Sequence, residues 1–415
     1  MCNSNLLTMK IRNLFLVFLL TAAVVSCKKD DDDDKFSQLT PTEHKSNMED
    51  NALEVFAKMD AVKDLSAIDI VIELVKLLDS YEAPAYYSSP LKSVASLKDG
   101  SSSAIKLVYT EEEEFRSFKN TFDEESGIYT FNKETNSWVK TEESTTELTF
   151  KFKSDAGEDV VASLTNFKTT TVNNPDIYNN QEDMLSSAKM TLAADGEVLI
   201  NFDFSASYDA KGLPTSIKET LIIEDYKLSA EFVYNSSVIS VEQSWKYKDE
   251  NIFSYFFENK GQFTYENLDG GEIDPTQGGF LQSNVARITI GNYKIEGTAN
   301  WKAFNDKMKD VSEDDFASEK EKYEFMAKAL NESVNLKLRY NNNNEIIAAS
   351  EFYAFEEENG YFYDDNEDDY YYWTVNMRMK FADDSSMDES YFDNSFSELI
   401  QDVSDFFAYF EEKLQ

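Results

Sequence analysis

The sequence predicts a mainly β protein of the α+β type. We expect a long antiparallel β-meander that forms a curved sheet or half-barrel, with helices at the N-terminus, near residues 312–331 and at the C-terminus. Two observations predict this class. Apolar and polar residues alternate in several long segments, as expected when one sheet face is buried and the other is wet. The chain also has only 13 glycines and 6 prolines in 415 residues, which favours long regular elements.

The strands are predicted by a period of two in the hydrophobic pattern. In the first of them Leu148, Phe150 and Phe152 alternate with Thr149 and polar neighbours. Such alternation places every second side chain on the same face of a strand. The same pattern predicts four further strands, over residues 198–208, 238–247, 293–301 and 371–381.

Turn-forming residues separate these segments. Asp195-Gly196 is a strong signal for a two-residue hairpin turn, because both positions tolerate a positive φ. Looser turns are predicted at 209–214, 235–236 and 341–344, which are rich in Asp, Asn, Gly and Ser. The chain from 186 to 266 therefore reads as a continuous meander.

Helices are predicted where the apolar spacing changes to three and four. A capping box at Ser46 to Glu49 begins the first helix, and Ser66 begins a second that is apolar nearly all round. Ser312 begins the helix near 312–331. A second capping box, Ser395 to Glu398, begins the terminal helix.

The N-terminus has the layout of a cleavable signal peptide. Lys10 and Arg12 precede an apolar run over residues 14–25, and small Ser26 follows. The run is too short for a membrane-spanning helix, which needs about 20 apolar residues. We therefore assign residues 1–26 to a signal peptide.

The residues that follow resemble a lipoprotein signal. Val24-Val25-Ser26-Cys27 is similar to the lipobox of bacterial lipoproteins, and Lys28, Lys29, Asp30 and Asp31 begin a run that resembles the export signal of Bacteroidota surface lipoproteins. The resemblance implies that Cys27 is lipidated and becomes the mature N-terminus. It implies an outer-membrane protein, lipid-anchored and exposed at the cell surface, that is handled by the lipoprotein-processing and export machinery. The remainder of the chain resembles no family that we can name.

An engineered origin is the competing interpretation of this run. Asp31 to Lys35 also spells an enterokinase cleavage site, but such a tag has no reason to follow an intact lipobox directly. We expect residues 27–46 to form an acidic tether and 47–415 a single elongated β-rich domain. The Gly- and Pro-containing loop 268–284 is the candidate sub-boundary.

The charge of the chain restricts its partners. Loss of residues 1–26 leaves 37 basic and 79 acidic residues, a net charge of −42. Such a field repels nucleic acid, so we predict no nucleic-acid partner. Cations, basic proteins and neutral ligands remain, and the simpler alternative is that the charge only maintains solubility.

The mature sequence offers no familiar set of catalytic side chains. Its one histidine, His44, lies in the predicted tether, and Cys27 is consumed by lipid. Serine and cysteine nucleophiles paired with histidine are thereby excluded, as is histidine-ligated zinc. We therefore predict no catalytic residue and no cofactor. A glycosidase that needs only two carboxylates stays open as the third hypothesis.

One acidic and aromatic segment stands out as a candidate ligand or cation site. Carboxylates are hard oxygen ligands that suit Ca²⁺, and tyrosines beside them suit stacking on sugars. The simpler alternative is a solvated hairpin tip whose tyrosines pair across strands. The candidate residues are Tyr363, Asp364, Asp365, Asp368, Asp369, Tyr370 and Tyr372, of which the four aspartates are the calcium candidates.

Three hypotheses of function follow from these features. The first is a non-catalytic surface lipoprotein that binds an apolar or glycan ligand, since the expected architecture resembles the half-barrels of envelope lipid carriers. The second is a structural or interaction lipoprotein of the outer membrane with a partner protein and no small ligand. The third is the carboxylate-only glycoside hydrolase. A cavity lined by Phe and Met favours a carrier, and exposed aromatic residues on the wet face favour a glycan-binding module.

Overall fold

The computed structural model describes most of the chain after the predicted signal region. The lipobox and the export run lie outside the described residues. The described ranges are 35–80, 119, 122–173, 182–263, 281–358, 371–387, 391, 395–396, 401–402 and 405–406.

Sixteen strands dominate the described part of the chain. The first eight are β1 Gly127–Asn132, β2 Ser137–Glu143, β3 Glu147–Lys153, β4 Asp159–Val172, β5 Glu182–Ala194, β6 Glu197–Tyr208, β7 Pro214–Ile223 and β8 Tyr226–Asn235. The second eight are β9 Val238–Tyr247, β10 Glu250–Gly261, β11 Leu281–Ile290, β12 Tyr293–Ala299, β13 Val334–Tyr340, β14 Ile346–Glu358, β15 Tyr371–Phe381 and β16 Ser386–Met387.

The strands form one sheet that follows the chain almost in order. The sequence of neighbours is β16-β15-β14-β13-β12-β11-β10-β9-β8-β7-β6-β5-β4-β3-β1-β2. Consecutive strands pair in antiparallel orientation, for example β5 with β6, β6 with β7 and β7 with β8, as a meander requires. One departure is β1, which runs parallel to β3, so the sheet is mixed. The predicted mainly β class is confirmed.

The predicted two-residue hairpin turn at Asp195-Gly196 is confirmed. Both residues have a positive φ, 48° at Asp195 and 84° at Gly196. Two central residues of this kind make the turn whose twist matches that of the flanking strands, here β5 and β6.

Residues 122–125, 391, 395, 401–402 and 405–406 are helical. Four longer helices lie before the first strand and between β12 and β13. They are α1 Pro41–Asp60, α2 Ser66–Ser80, α3 Trp301–Met308 and α4 Glu319–Ser333, with short 3₁₀ turns at Ala61–Asp64 and Glu313–Asp315. Among the described helices, none has the length and apolar character needed to cross a membrane.

Helix α1 begins five residues earlier than the predicted start at Ser46. The hydroxyl of Thr40 accepts from the N–H of Glu43, and the Glu43 carboxylate accepts from the N–H of Thr40. This is a reciprocal capping box, and Pro41 occupies the first helical position that suits proline. The predicted box at Ser46 was therefore wrong, and residues 41–46, assigned to the tether, are helical.

Two further boundaries differ from the prediction. Trp301 was assigned to the end of a strand, but it begins α3, because the Asn300 side chain accepts from the N–H of Ala303 and caps the helix. Ser312 caps only the 3₁₀ turn, and Ser318 caps α4. Of the predicted terminal helix, Ser395 and residues 401–402 and 405–406 are described and helical, Phe396 is described as a bend, and the rest lies outside the described residues.

The chain divides into two compact units, which we describe separately. Among the described residues, the first unit comprises those within 35–54, 235–240 and 253–396, and the second comprises those within 55–234, 241–252 and 401–406.

The core of the second unit is built on α2 and the first strands. Leu74 of α2 is 1% exposed, and Phe150 and Val160 are 0% and 1% exposed. The Trp138 ring stands edge-on to Phe150, with centroids 5.0 Å apart, and its Nε1 donates to the Leu77 carbonyl. Since Ala67, Ile70, Val71, Val75 and Leu78 are buried as well, the predicted deep burial of α2 is confirmed.

The first unit buries the histidine that was assigned to the tether. His44 is 2% exposed, its Nδ1 lies 2.8 Å from the Tyr340 hydroxyl, and its ring stacks on Phe381 at 5.9 Å. Burial lowers the pKa of His44, because the charged imidazolium loses its water. The placement of His44 in a tether was therefore wrong. It is a core residue, packed with Met48 of α1 against strands β12 to β15.

Candidate functional site

The predicted acidic and aromatic segment is described only at its end. Tyr363, Asp364, Asp365, Asp368, Asp369 and Tyr370 lie outside the described residues. Tyr372 is described and lies on β15, where it pairs with Glu357 of β14. The candidate site described below lies on β14 and β15, the two strands that flank this segment.

The register of β14 and β15 decides which side chains share a face. Glu351 lies opposite Arg378 and Glu357 opposite Tyr372, and the pairing is continuous between them. Directly opposite residues project from the same face of a sheet. One face therefore carries Glu351, Tyr353, Phe355, Glu357, Tyr372, Thr374, Asn376 and Arg378, and we call this set the aromatic platform.

Helix α4 covers the other face of the same two strands. The side chain of Asn331 bonds to the backbone of Phe352, and the Lys320 Nζ lies 5.3 Å from the centroid of the Trp373 ring. Leu330 packs with Phe352 in a small apolar cluster. Helix α4 therefore packs on the face opposite the aromatic platform.

Two aromatic rings form the centre of the platform. Tyr353 and Phe355 lie two residues apart on β14, with ring centroids 6.2 Å apart and an interplanar angle of 84°. Phe355 is 39% exposed. A phenylalanine that a strand holds at this exposure keeps apolar area available to a ligand.

A network of charges fixes one end of the platform. The Arg378 Nε donates to a Glu351 carboxylate oxygen at 2.6 Å, and the Lys380 Nζ lies 3.5 Å from the other oxygen. The Arg378 guanidinium also lies over the Tyr353 ring, 4.7 Å from its centroid. A guanidinium held by a carboxylate and a ring keeps a fixed orientation, so its hydrogen-bonding directions are set before a ligand binds.

The other end of the platform carries a tyrosine paired with an acid. A hydrogen bond to Glu357 raises the pKa of the Tyr372 hydroxyl, because the carboxylate disfavours the phenolate. On the same face the Asn376 side-chain oxygen accepts from the N–H of Met377 at 2.8 Å. The platform therefore combines aromatic rings with carboxylate, amide, hydroxyl and guanidinium groups.

This set of groups suits recognition of a polar ring. Sugars present C–H faces that stack on aromatic rings and hydroxyls that bond to acids, amides and arginine. Within the described ranges, no group of three or more His, Cys, Asp or Glu side chains is arranged to hold a metal ion.

The sequence contained a signal for this site that we did not use. In β14 the residues Phe352 and Ala354 alternate with Tyr353 and Phe355, so both faces of the strand are apolar. A strand with one wet face has no need of two aromatic rings on that face. The two extra aromatic rings, Tyr353 and Phe355, thus indicated a binding surface on β14. The prediction was placed instead on the neighbouring run of aspartates.

Comparison with known proteins identifies no relative. Neither a protein-family model, nor a curated protein, nor a solved structure matches this chain.

Proposed function

We propose that this protein is a lipoprotein of the outer membrane, anchored at the cell surface through Cys27, that binds glycans on the aromatic platform without catalysing a reaction. The ligand stacks on Phe355, and its hydroxyls bond to the polar groups at the two ends of the platform.

The exposed ring of Phe355 is the observation that carries this proposal. Burying a phenylalanine side chain is worth about 1.5–3 kcal/mol, and this ring is held out on a strand whose opposite face is already packed. The Arg378 and Glu351 pair, which lies beyond Tyr353 on the same face, supplies donors and acceptors in a fixed geometry. An apolar ligand would use the ring but would leave these polar groups without a role, so the platform favours a glycan.

The predicted anchor supports a role at the cell surface. The lipobox and the Lys-Asp run resemble a signal for export to that surface, where polysaccharides are abundant ligands. A net charge of −42 for the mature chain disfavours anionic polymers, because like charges repel. Neutral glycans are therefore the ligands that we expect.

A binding experiment with matched variants tests the proposal. We expect the soluble protein from residue 28 onward to bind neutral polysaccharides on a glycan array and in calorimetry, and Phe355→Ala to weaken binding roughly tenfold or more. Phe325→Ala is the matched control, because Phe325 of α4 is 36% exposed but lies outside the platform.

Two outcomes contradict the proposal. If no neutral glycan binds, or if Phe325→Ala and Phe355→Ala weaken binding equally, the platform is not a glycan site. Specific capture of one outer-membrane protein in place of any glycan would instead favour the interaction lipoprotein of our second hypothesis.

A further inference from the structure

The sheet face that carries the aromatic platform continues across β13, β12 and β11. Lys337 of β13 lies directly opposite Ala349 of β14, and Ala349 lies opposite Lys380 of β15. Glu296 of β12 lies opposite Lys337, and Arg287 of β11 lies opposite Glu296. Since directly opposite residues project from the same face, these five residues form one line across five strands, which we call the charged row.

The charged row adjoins the aromatic platform. Ala349 lies two positions before Glu351 on β14, and alternate residues of a strand project from the same face. Phe355 lies six positions beyond Ala349, a distance of roughly 20 Å along the strand. An elongated ligand that stacks on Phe355 and follows β14 past Glu351 therefore reaches the row at Ala349.

Basic side chains outnumber acidic ones on this face, by six to three on β11 to β15. The chain as a whole has the opposite balance, with 39 basic and 79 acidic residues. The basic residues on the face are Arg287, Lys294, Lys337, Arg339, Arg378 and Lys380, and the acidic ones are Glu296, Glu351 and Glu357.

One carboxylate of the row is shared by three cations. One Glu296 oxygen lies 2.8 Å from the Arg339 Nε, and the other lies 3.0 Å from the Lys294 Nζ. The Arg287 Nε lies 3.8 Å from that second oxygen, and its side chain is 53% exposed. A single carboxylate cannot offset three positive charges, so positive charge remains in excess beside the row.

A second carboxylate, that of Glu351, is shared in the same way. It lies 2.6 Å from an Arg378 nitrogen and 3.5 Å from the Lys380 Nζ, which also contacts Asp384 at 3.0 Å. Lys337 lies in the row between these two carboxylates. The excess of positive charge therefore extends along the row from β11 to β15.

Ala349 leaves space between the two lysines of the row. Directly opposite side chains have Cβ atoms about 4.5–5.5 Å apart, so Lys337 and Lys380 flank the short methyl group of Ala349 on its two sides. All three residues are partly exposed. Because a lysine ammonium stands on a flexible four-carbon stem, both ammonium groups can turn toward an anionic group that lies over Ala349.

The net charge of the whole chain does not prevent such binding. The Debye length is about 8 Å at physiological ionic strength, so acids farther away act only weakly on a group over Ala349. A polymer charged on every unit would extend beyond the row and meet those acids. A glycan that carries a single anionic group would meet only the charged row.

We propose that the glycan bound on the aromatic platform has a neutral backbone and carries one oxyanion group, such as a carboxylate, that lies over Ala349 between Lys337 and Lys380. This inference rests on the glycan-binding function proposed above and defines the class of ligand for the same site.

The test compares oligosaccharides that differ in one group. Cello-, xylo- and malto-oligosaccharides, from the disaccharide to the hexasaccharide, are measured by calorimetry beside their aldonic acids, in which the reducing end is oxidised to a carboxylate. We expect one series to bind and its longer aldonic acids to bind roughly tenfold more tightly than the neutral parents, as one charge-assisted hydrogen bond allows. The advantage should be absent from the short members, which cannot reach from Phe355 to Ala349, and should decrease as salt is added.

Two variants remove an ammonium group from the row. In Lys337→Gln and in Lys380→Gln we expect the affinity for the aldonic acid to fall toward that for the neutral parent. Lys320→Gln is the matched control, because it loses the same charge from α4 on the opposite face, where Lys320 lies over Trp373. It should keep the preference for the acid.

The outcomes separate this inference from the proposed function. If neutral and acidic oligosaccharides bind equally, or if Lys320→Gln removes the preference as fully as Lys337→Gln, the charged row is not an anion site, while the platform remains a glycan site. A preference for the acid that is independent of length would contradict its position over Ala349. If no oligosaccharide of either kind binds, both proposals fail.

Discussion

The side-chain amide of Asn331 pairs with the backbone of Phe352 as a neighbouring strand would. It donates to the Phe352 carbonyl at 2.7 Å and accepts from the Phe352 N–H at 2.8 Å. Among the described residues of β13, only 337–339 pair with β14. At Phe352 the last turn of α4 therefore occupies the position that β13 would take. This contact fixes α4 to the strand that carries the aromatic platform on its other face.

We expect Asn331→Leu to destabilise the first unit by about 1–3 kcal/mol, because both backbone groups of Phe352 lose their partner. The stability of Asn331→Asp should lie between that of Asn331→Leu and that of the wild type, because a carboxylate can accept from the N–H but cannot donate to the carbonyl. Urea unfolding measures both changes. Equal stability of Asn331→Leu and the wild type would mean that water replaces the amide at no cost.

The buried histidine predicts a dependence of stability on pH. Burial lowers the pKa of His44 in the folded protein, although Glu43 and Glu345 act in the opposite direction. The unfolded chain therefore binds the proton more tightly, with a pKa of about 6.5. The contribution of His44 to stability is complete above that pH and is lost as the pH falls below it, by at most about 1.4 kcal/mol per pH unit.

His44→Phe isolates this contribution. Phenylalanine retains a ring that can stack on Phe381 but cannot take up a proton. We expect the melting temperature of the wild type to fall more than that of His44→Phe as the pH is lowered from neutral to mildly acidic. A difference between the two that stays constant over this range would show that the pKa of His44 is the same in the folded and the unfolded protein.

Phe406 ties the end of the chain to the second unit. It is 4% exposed, its ring lies 6.5 Å from that of Trp245, and the Lys63 Nζ lies 5.3 Å from its centroid. We expect Phe406→Ala to cost about 3–5 kcal/mol in unfolding experiments, as for other buried aromatic residues. Phe325→Ala, at an exposed ring, should cost less than about 1 kcal/mol. Similar losses in the two variants would show that Phe406 packs only peripherally.

The anchor is tested by labelling in a bacterial host that processes lipoproteins. Cys27→Ser should abolish incorporation of radiolabelled palmitate, and replacement of residues 28–34 by alanine should keep it. The second variant should also lose accessibility to external protease, because the export signal is gone while the lipid chains, at about 0.8 kcal/mol per buried methylene, still hold the protein in a membrane. Labelling of Cys27→Ser would refute the predicted lipidation site.

Much of the fold could be predicted from local patterns. The alternation in 198–208 and 371–381 predicted β6 and β15, and the turn residues Asp195-Gly196 predicted the hairpin that joins β5 to β6. These predictions succeeded because strand pattern and turn chemistry depend on residues close together in sequence. The candidate site was predicted only at Tyr372. Recognising Phe355 as exposed required knowing which face of β14 is covered by α4.

The sequence by itself determined the alternating pattern of β3, β6, β9, β12 and β15, the presence of α1, α2 and α4 and the resemblance to a lipoprotein signal, since each is a property of a short segment. The tertiary structure decided where His44 lies, because its partner Tyr340 is 296 positions away. It also decided that Asn331 substitutes for a strand at Phe352. Burial and pairing between distant residues are set by how the strands register and how the helices dock, and no local pattern encodes that choice.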